Sequence, residues 1–102
     1  MFLPPKLMRR NMENKMEQII FSDIAFSSFC GWIRQNPLLF DKIDSLITDC
    51  LRHPFNGLGK PEPLKGAYKG CWSRRINQEH RLIYFASTQG IHVVACRNHY
   101  SD

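Results

Sequence analysis

The sequence predicts an α+β fold: an antiparallel sheet with an αα-hairpin packed on one face. Two stretches of helical apolar periodicity, 24–34 and 37–52, follow each other with almost no link. After them come three runs rich in β-branched and aromatic residues, 71–76, 80–86 and 91–97, separated by short turns. At 102 residues the chain forms one domain and can bury a core without staples.

Residues 1–15 are polar, begin with a proline pair and lack periodicity, so they form a loosely ordered extension outside a single domain spanning 16–102. Gln18, Ile19, Ile20 and Phe21 make a short strand, and Ser22-Asp23 is a helix-start signal. Phe26, Phe29, Cys30, Trp32 and Ile33 then recur at helical spacing, and Gly31 weakens this helix by about 1 kcal/mol. Asn36-Pro37 starts the second helix, with Asn as cap and Pro in the first turn. Leu39, Ile43, Leu46, Ile47 and Cys50 give it one apolar face, with Asp41, Lys42, Asp44, Ser45, Thr48 and Asp49 on the polar side. Pro54 stops it, and the glycines and prolines from 54 to 70 mark a loop. Within that loop each proline keeps its predecessor out of the helical region, so Lys60 and Glu62 are expected to be extended.

The last three runs form an antiparallel meander, turning at Asn77-Gln78-Glu79 and at 87–90. Alternation places Arg81, Ile83 and Phe85 on one face of the middle strand and Leu82, Tyr84 and Ala86 on the other. It also groups Val93, Ala95 and Arg97, and it sends Arg74 and Arg75 to opposite faces.

A 43% hydrophobic and 12% aromatic composition excludes a disordered chain. No apolar run is long enough to span a membrane, and the N-terminus lacks a secretory h-region. The four cysteines, 30, 50, 71 and 96, are scattered through apolar segments, as expected of reduced, buried thiols in a cytoplasmic protein, although one disulfide pair remains open. Four scattered histidines give no metal-ligand spacing, and no cofactor is indicated. Residues 52–81 carry seven basic and two acidic side chains, net +5, which points to a polyanionic partner. A proline-braced carboxylate, several guanidinium groups, an imidazole and a phenol are the set that metal-free phosphodiester cleavage needs.

The run Pro54-Phe55-Asn56-Gly57-Leu58-Gly59-Lys60-Pro61-Glu62-Pro63-Leu64-Lys65 resembles the signature loop of YoeB/Txe-type toxins in the RelE superfamily. Trp72-Ser73-Arg74-Arg75-Ile76, His80-Arg81-Leu82-Ile83-Tyr84 and Ala95-Cys96-Arg97-Asn98-His99-Tyr100 follow in the family's order and spacing, so the likeness spans about 17–100. Asn98 stands where relatives often carry an aromatic residue, and Ser101-Asp102 extend past the tyrosine that often ends these chains.

The resemblance implies a compact RelE-like fold and a type II toxin that cleaves mRNA on the ribosome without metal. It implies a YefM/Phd-type antitoxin as partner, a homodimer, and operator DNA contact through the antitoxin. By motif position Glu62, Arg81, His99 and Tyr100 fall on catalytic residues, and Lys65 falls near them. The expected roles are Glu62 as general base, His99 as general acid, Arg81 as phosphate clamp, and Tyr100 orienting the phosphate or holding His99. Arg75 supports the cleft, Arg74 contacts ribosomal RNA backbone, and Lys60 and Lys65 supply further charge. A non-cleaving RNA- or ribosome-binding inhibitor and an antitoxin-bound corepressor are the competing readings.

Overall fold

The computed structural model describes residues 18–98. The expected extension 1–15 and the candidates His99 and Tyr100 lie outside the described residues. In chain order the elements are β1 (Gln18–Phe21), α1 (Asp23–Gln35), α2 (Pro37–Arg52), β2 (Glu62–Pro63), a 3₁₀ turn (Gly66–Tyr68), β3 (Trp72–Arg75), β4 (Arg81–Ser87) and β5 (Gly90–Ala95).

Both helices begin where their caps predict. Ser22 Oγ accepts from the Ala25 amide at 3.1 Å, and Asn36 Oδ1 accepts from Leu39 at 3.3 Å ahead of Pro37. Asn36 also ends α1, donating its own amide to the Trp32 carbonyl, so a single residue links the two helices. The helical hairpin covers one face of the sheet. Ala25, Trp32, Ile43, Leu46, Ile47 and Cys50 meet Leu82, Tyr84, Ile91, Val93 and Cys96 in one core. The Trp32 indole donates to the Cys96 carbonyl at 3.1 Å and ties α1 to the end of β5.

The sheet has five strands in the order β1-β5-β4-β3-β2. It is mixed rather than wholly antiparallel, because β1 runs parallel to β5. A four-residue edge strand carries no signal for its direction. Ser22 fixes it, donating its amide to Val93 O and its hydroxyl to Val94 O as the chain turns into α1. A second difference is β2: Glu62 and Pro63, expected in a loop, pair antiparallel with Ser73 and Trp72. At the sheet's edge Pro63 needs no amide hydrogen.

A register shift between Ile83 and Tyr84 alters the facing in β5. Tyr84 pairs with Val93 but Ile83 pairs with Ala95, so Val94 is the extra residue of a bulge. Val93 therefore joins the core while Ala95 lies beside Ile83 on the other face, where simple alternation had grouped the two. Arg97 returns to the helix side, its guanidinium 4.0 Å from the Trp32 ring and bonded to Gln35 Oε1 at 2.8 Å.

All four cysteines are free, but only Cys50 and Cys96 are buried; Cys30 is exposed. On α1 the core stripe is Ala25, Phe29 and Trp32, and the neighbouring stripe of Phe26, Cys30 and Ile33 faces outward. The sequence offered both stripes, and periodicity alone does not choose between adjacent ones. Among the described residues no helix is long and apolar enough to cross a membrane.

Candidate functional site

The 53–58 loop is wrapped around the guanidinium of Arg74, which is 0% exposed. Its Nη1 donates to Asp49 Oδ2 at 2.6 Å and to Leu58 O at 3.0 Å. Nη2 donates to Asn56 O at 2.8 Å and to His53 O. Nε donates to the Tyr84 hydroxyl at 3.1 Å, and that hydroxyl donates onward to Pro54 O at 2.6 Å. All five donors of the fork are engaged, the condition under which a buried cation is tolerated. Asp49 also accepts from the Leu58 amide at 2.9 Å, and this bond and the Arg74 fork hold its carboxyl below the usual range. Burial pushes the Tyr84 phenol up to about 12.

This arrangement corrects the expectation for Arg74. It has neither surface nor a spare donor for an RNA phosphate. Alternation separated Arg74 from Arg75 but could not say which side faced the core. Asp49 decides it, because the polar side of α2 faces this loop at that point rather than water alone.

Two glycines let the loop lie close to α2. A Cβ on Gly57, at φ +109°, would meet Asp49 Oδ2, and one on Gly59, at φ +79°, would sit 2.9 Å from Leu46 Cδ2. Lys60 then takes φ +52° instead of the extended conformation expected before Pro61. The proline disfavours the right-handed helical basin for Lys60, and the left-handed region completes the tight turn. The turn is fastened to β3 by the Arg75 amide, which donates to Gly59 O at 2.7 Å.

Beyond Pro61 the chain is extended, as expected for Glu62. Glu62, Ser73, Ile83 and Ala95 form one cross-strand row, on the face away from the helices. Arg75 and Arg81 are direct cross-strand partners two residues further along the same face. Like charges directly opposite work against a sheet's stability.

Arg81 is half-buried and oriented by its own turn. Its Nη1 donates to Asn77 O at 2.6 Å and His80 O at 3.1 Å, while Nε and Nη2 make no bond to the described residues. The Asn77 side chain braces that turn by accepting from the Glu79 and His80 amides. Asn98, the last described residue, is fastened beside Arg81: its carbonyl accepts from the Arg81 amide at 2.9 Å. Its own amide donates to His80 Nδ1 at 2.8 Å. This bond places the His80 proton on Nε2, and the ring packs edge-on to Trp32. Asn98 has φ +73°, a conformation Asn adopts more readily than an aromatic residue does.

Lys60, Arg75 and Arg81 line one groove of about 520 Å³ together with Lys42, Gly59, Ile76, Asn77 and Gln78. Among the described residues none of these four cations forms an ion pair; the pairs present are Arg74–Asp49 and a His80–Glu79 contact at 3.6 Å. Glu62 is exposed on the same sheet face but does not line the groove, nor does Lys65, which is exposed and precedes the 3₁₀ turn. The structure thus gathers three sequence candidates, places Glu62 on their face, and removes Arg74 to the interior. Sequence reasoning missed Lys42, which it read as a solvated helix position, and the His80 link to Asn98. Nothing in the residue pattern marked Lys42; only the packing of α2 against the loop brings it to the groove.

The family described as "YoeB-like toxin of bacterial type II toxin-antitoxin system" matches residues 21–100. Toxin YoeB of Escherichia coli strain K12 is 42% identical over 83 residues, covering 81% of this chain and 99% of the relative. A YoeB/ParE toxin from Agrobacterium tumefaciens superposes with a TM-score of 0.77 at 42% identity, over 81% of this chain and 99% of that one. A YoeB-YefM complex from Staphylococcus aureus is similar at TM-score 0.76 and 38% identity, over 82% of this chain and 98% of that one. A YoeB dimer from that organism gives 0.77 and 35%, over 85% and 100%. With the fold, the proline-braced loop and the arginine pair all in place, the chain belongs to the YoeB-like toxins of bacterial type II toxin–antitoxin systems.

Proposed function

We propose that the chain is a metal-independent endoribonuclease that cleaves mRNA on the ribosome. One observation carries this reading: Arg75 and Arg81 stand side by side, with Lys60 on their groove and Glu62 on their sheet face. An unrelieved cationic pair is a cost in the free protein and an asset against a phosphate.

RNA supplies its own nucleophile. Glu62 takes the 2′-hydroxyl proton, and the oxygen attacks the adjacent phosphorus. Nε and Nη2 of Arg81, which bond to none of the described residues, hold the non-bridging oxygens as negative charge grows on the phosphorane. Lys65 adds a point charge. His99 protonates the departing 5′-oxygen, and Tyr100 orients the phosphate or holds His99. The products are a 2′,3′-cyclic phosphate and a 5′-hydroxyl. Each proton transfer contributes about 10²–10⁴-fold.

The same cationic face suits neutralisation by an antitoxin of YefM/Phd type carrying acidic residues, with operator DNA contacted through that partner. The proposed site of action is the cytoplasm, and the proposed homodimer and antitoxin pairing are in keeping with a solved YoeB dimer and a solved YoeB-YefM complex. A non-cleaving blocker of translation would use the same groove, but it has no need of Glu62. Mapping 5′ ends of mRNA after induction separates the two. New 5′-hydroxyl ends within coding sequence are the expected result, whereas arrested growth without new ends would overturn cleavage.

A further inference from the structure

The groove beside Arg81 includes a residue to which the catalytic reading gives no role. Lys42, Leu46 and Asp49 lie at i, i+4 and i+7 of α2, on the side that meets the 53–60 loop. Asp49 is committed to Arg74 and Leu58, and Leu46 packs beneath Gly59. Lys42, one turn earlier, passes the edge of the loop and lines the groove with Lys60, Arg75 and Arg81.

Four cations therefore converge from three separate parts of the fold, and among the described residues no acidic side chain lines the groove with them. Among the described residues none has a carboxylate partner to offset the mutual repulsion. Such a concentration of one sign focuses the field and raises the local concentration of a polyanion. The volume, about 520 Å³, matches the range of roughly 300–1,000 Å³ typical of ligand sites. Glu62 lies outside the groove, so the groove is positioned to hold a part of the strand other than the attacked ribose.

We propose that Lys42, with Lys60 and Arg75, forms a backbone track that grips single-stranded RNA phosphates beside the linkage held by Arg81. The strand then runs from the sheet face toward α2. This inference rests on the RNA-cleaving reading and assigns the path of its substrate.

The test measures binding of a short, uncleavable 2′-O-methyl oligoribonucleotide by fluorescence anisotropy across a salt series. Lys42→Ala should weaken binding about five- to tenfold at low salt and flatten the log K against log salt slope by about 0.7. Lys42→Arg should restore both. Arg34→Ala, an exposed cation on α1 outside the groove, should change neither. Unchanged affinity and slope in Lys42→Ala would overturn the track. So would a Lys42→Ala defect confined to an acidic antitoxin peptide, which would assign the groove to the antitoxin. Because the readout is binding, a Lys42 effect with no RNA cleavage by the wild type would sink the nuclease reading and leave the track standing.

Discussion

Arg74→Met should destabilise the protein by about 3–5 kcal/mol, against a typical total of about 5–15 kcal/mol. The methionine fills much of the space but leaves three loop carbonyls, Asp49 and the Tyr84 hydroxyl without their shared donor. Each buried polar group left unpaired costs about 1–3 kcal/mol, and the 53–58 loop loses the centre it is wrapped around. Arg75→Met, one residue along, should change stability by no more than about 0.5 kcal/mol, because Arg75 is exposed and faces a like charge. Urea unfolding of the two variants reads the difference directly. Equal midpoints would mean that Arg74 does not organise the loop.

Glu62→Gln should lower the cleavage rate about 10²–10⁴-fold while leaving the unfolding midpoint unchanged. Glu62 is exposed and forms no ion pair with a described residue, so the amide costs the fold little; what it removes is the base. Arg81→Lys should lose activity as well, because an ammonium keeps the charge but cannot hold two non-bridging oxygens through a planar fork. The Nη1 bonds to Asn77 and His80 fix that plane, and an ammonium bonded to the same carbonyls has no second, oriented nitrogen to present. Near wild-type cleavage by Glu62→Gln, in single-turnover assays on purified ribosomes, would remove the carboxylate from the chemistry.

How far the sequence carried this reading depended on whether the signal was local. Ser22, Asn36 and Pro37 act on amides within three residues, so both helix starts were legible. Alternation separated Arg74 from Arg75 correctly because it needs only one strand. Features that depend on a distant partner were not legible. The parallel pairing of β1 and the burial of Arg74 against Asp49 join segments far apart in the chain, and the bulge that divides Val93 from Ala95 depends on the register against β4 rather than on the β5 sequence alone. Lys60 shows a limit within a local rule: proline restricts its predecessor, but the choice of left-handed φ came from the packing of Gly57 and Gly59 on α2. The candidate site behaved in the same way. Its loop and arginines could be named from the motif, while Lys42 and the His80–Asn98 link emerge only from the packed fold.

The most direct measurement concerns the substrate's own nucleophile. Once a cut has been mapped, the same mRNA is made with a single 2′-deoxynucleotide on the 5′ side of that linkage and presented on ribosomes to the wild-type protein. In-line attack by the 2′-oxygen predicts that cleavage disappears at that linkage and continues at unmodified ones. A cut of normal rate at the deoxy position would contradict the account, since the strand could then only have been broken by some other nucleophile.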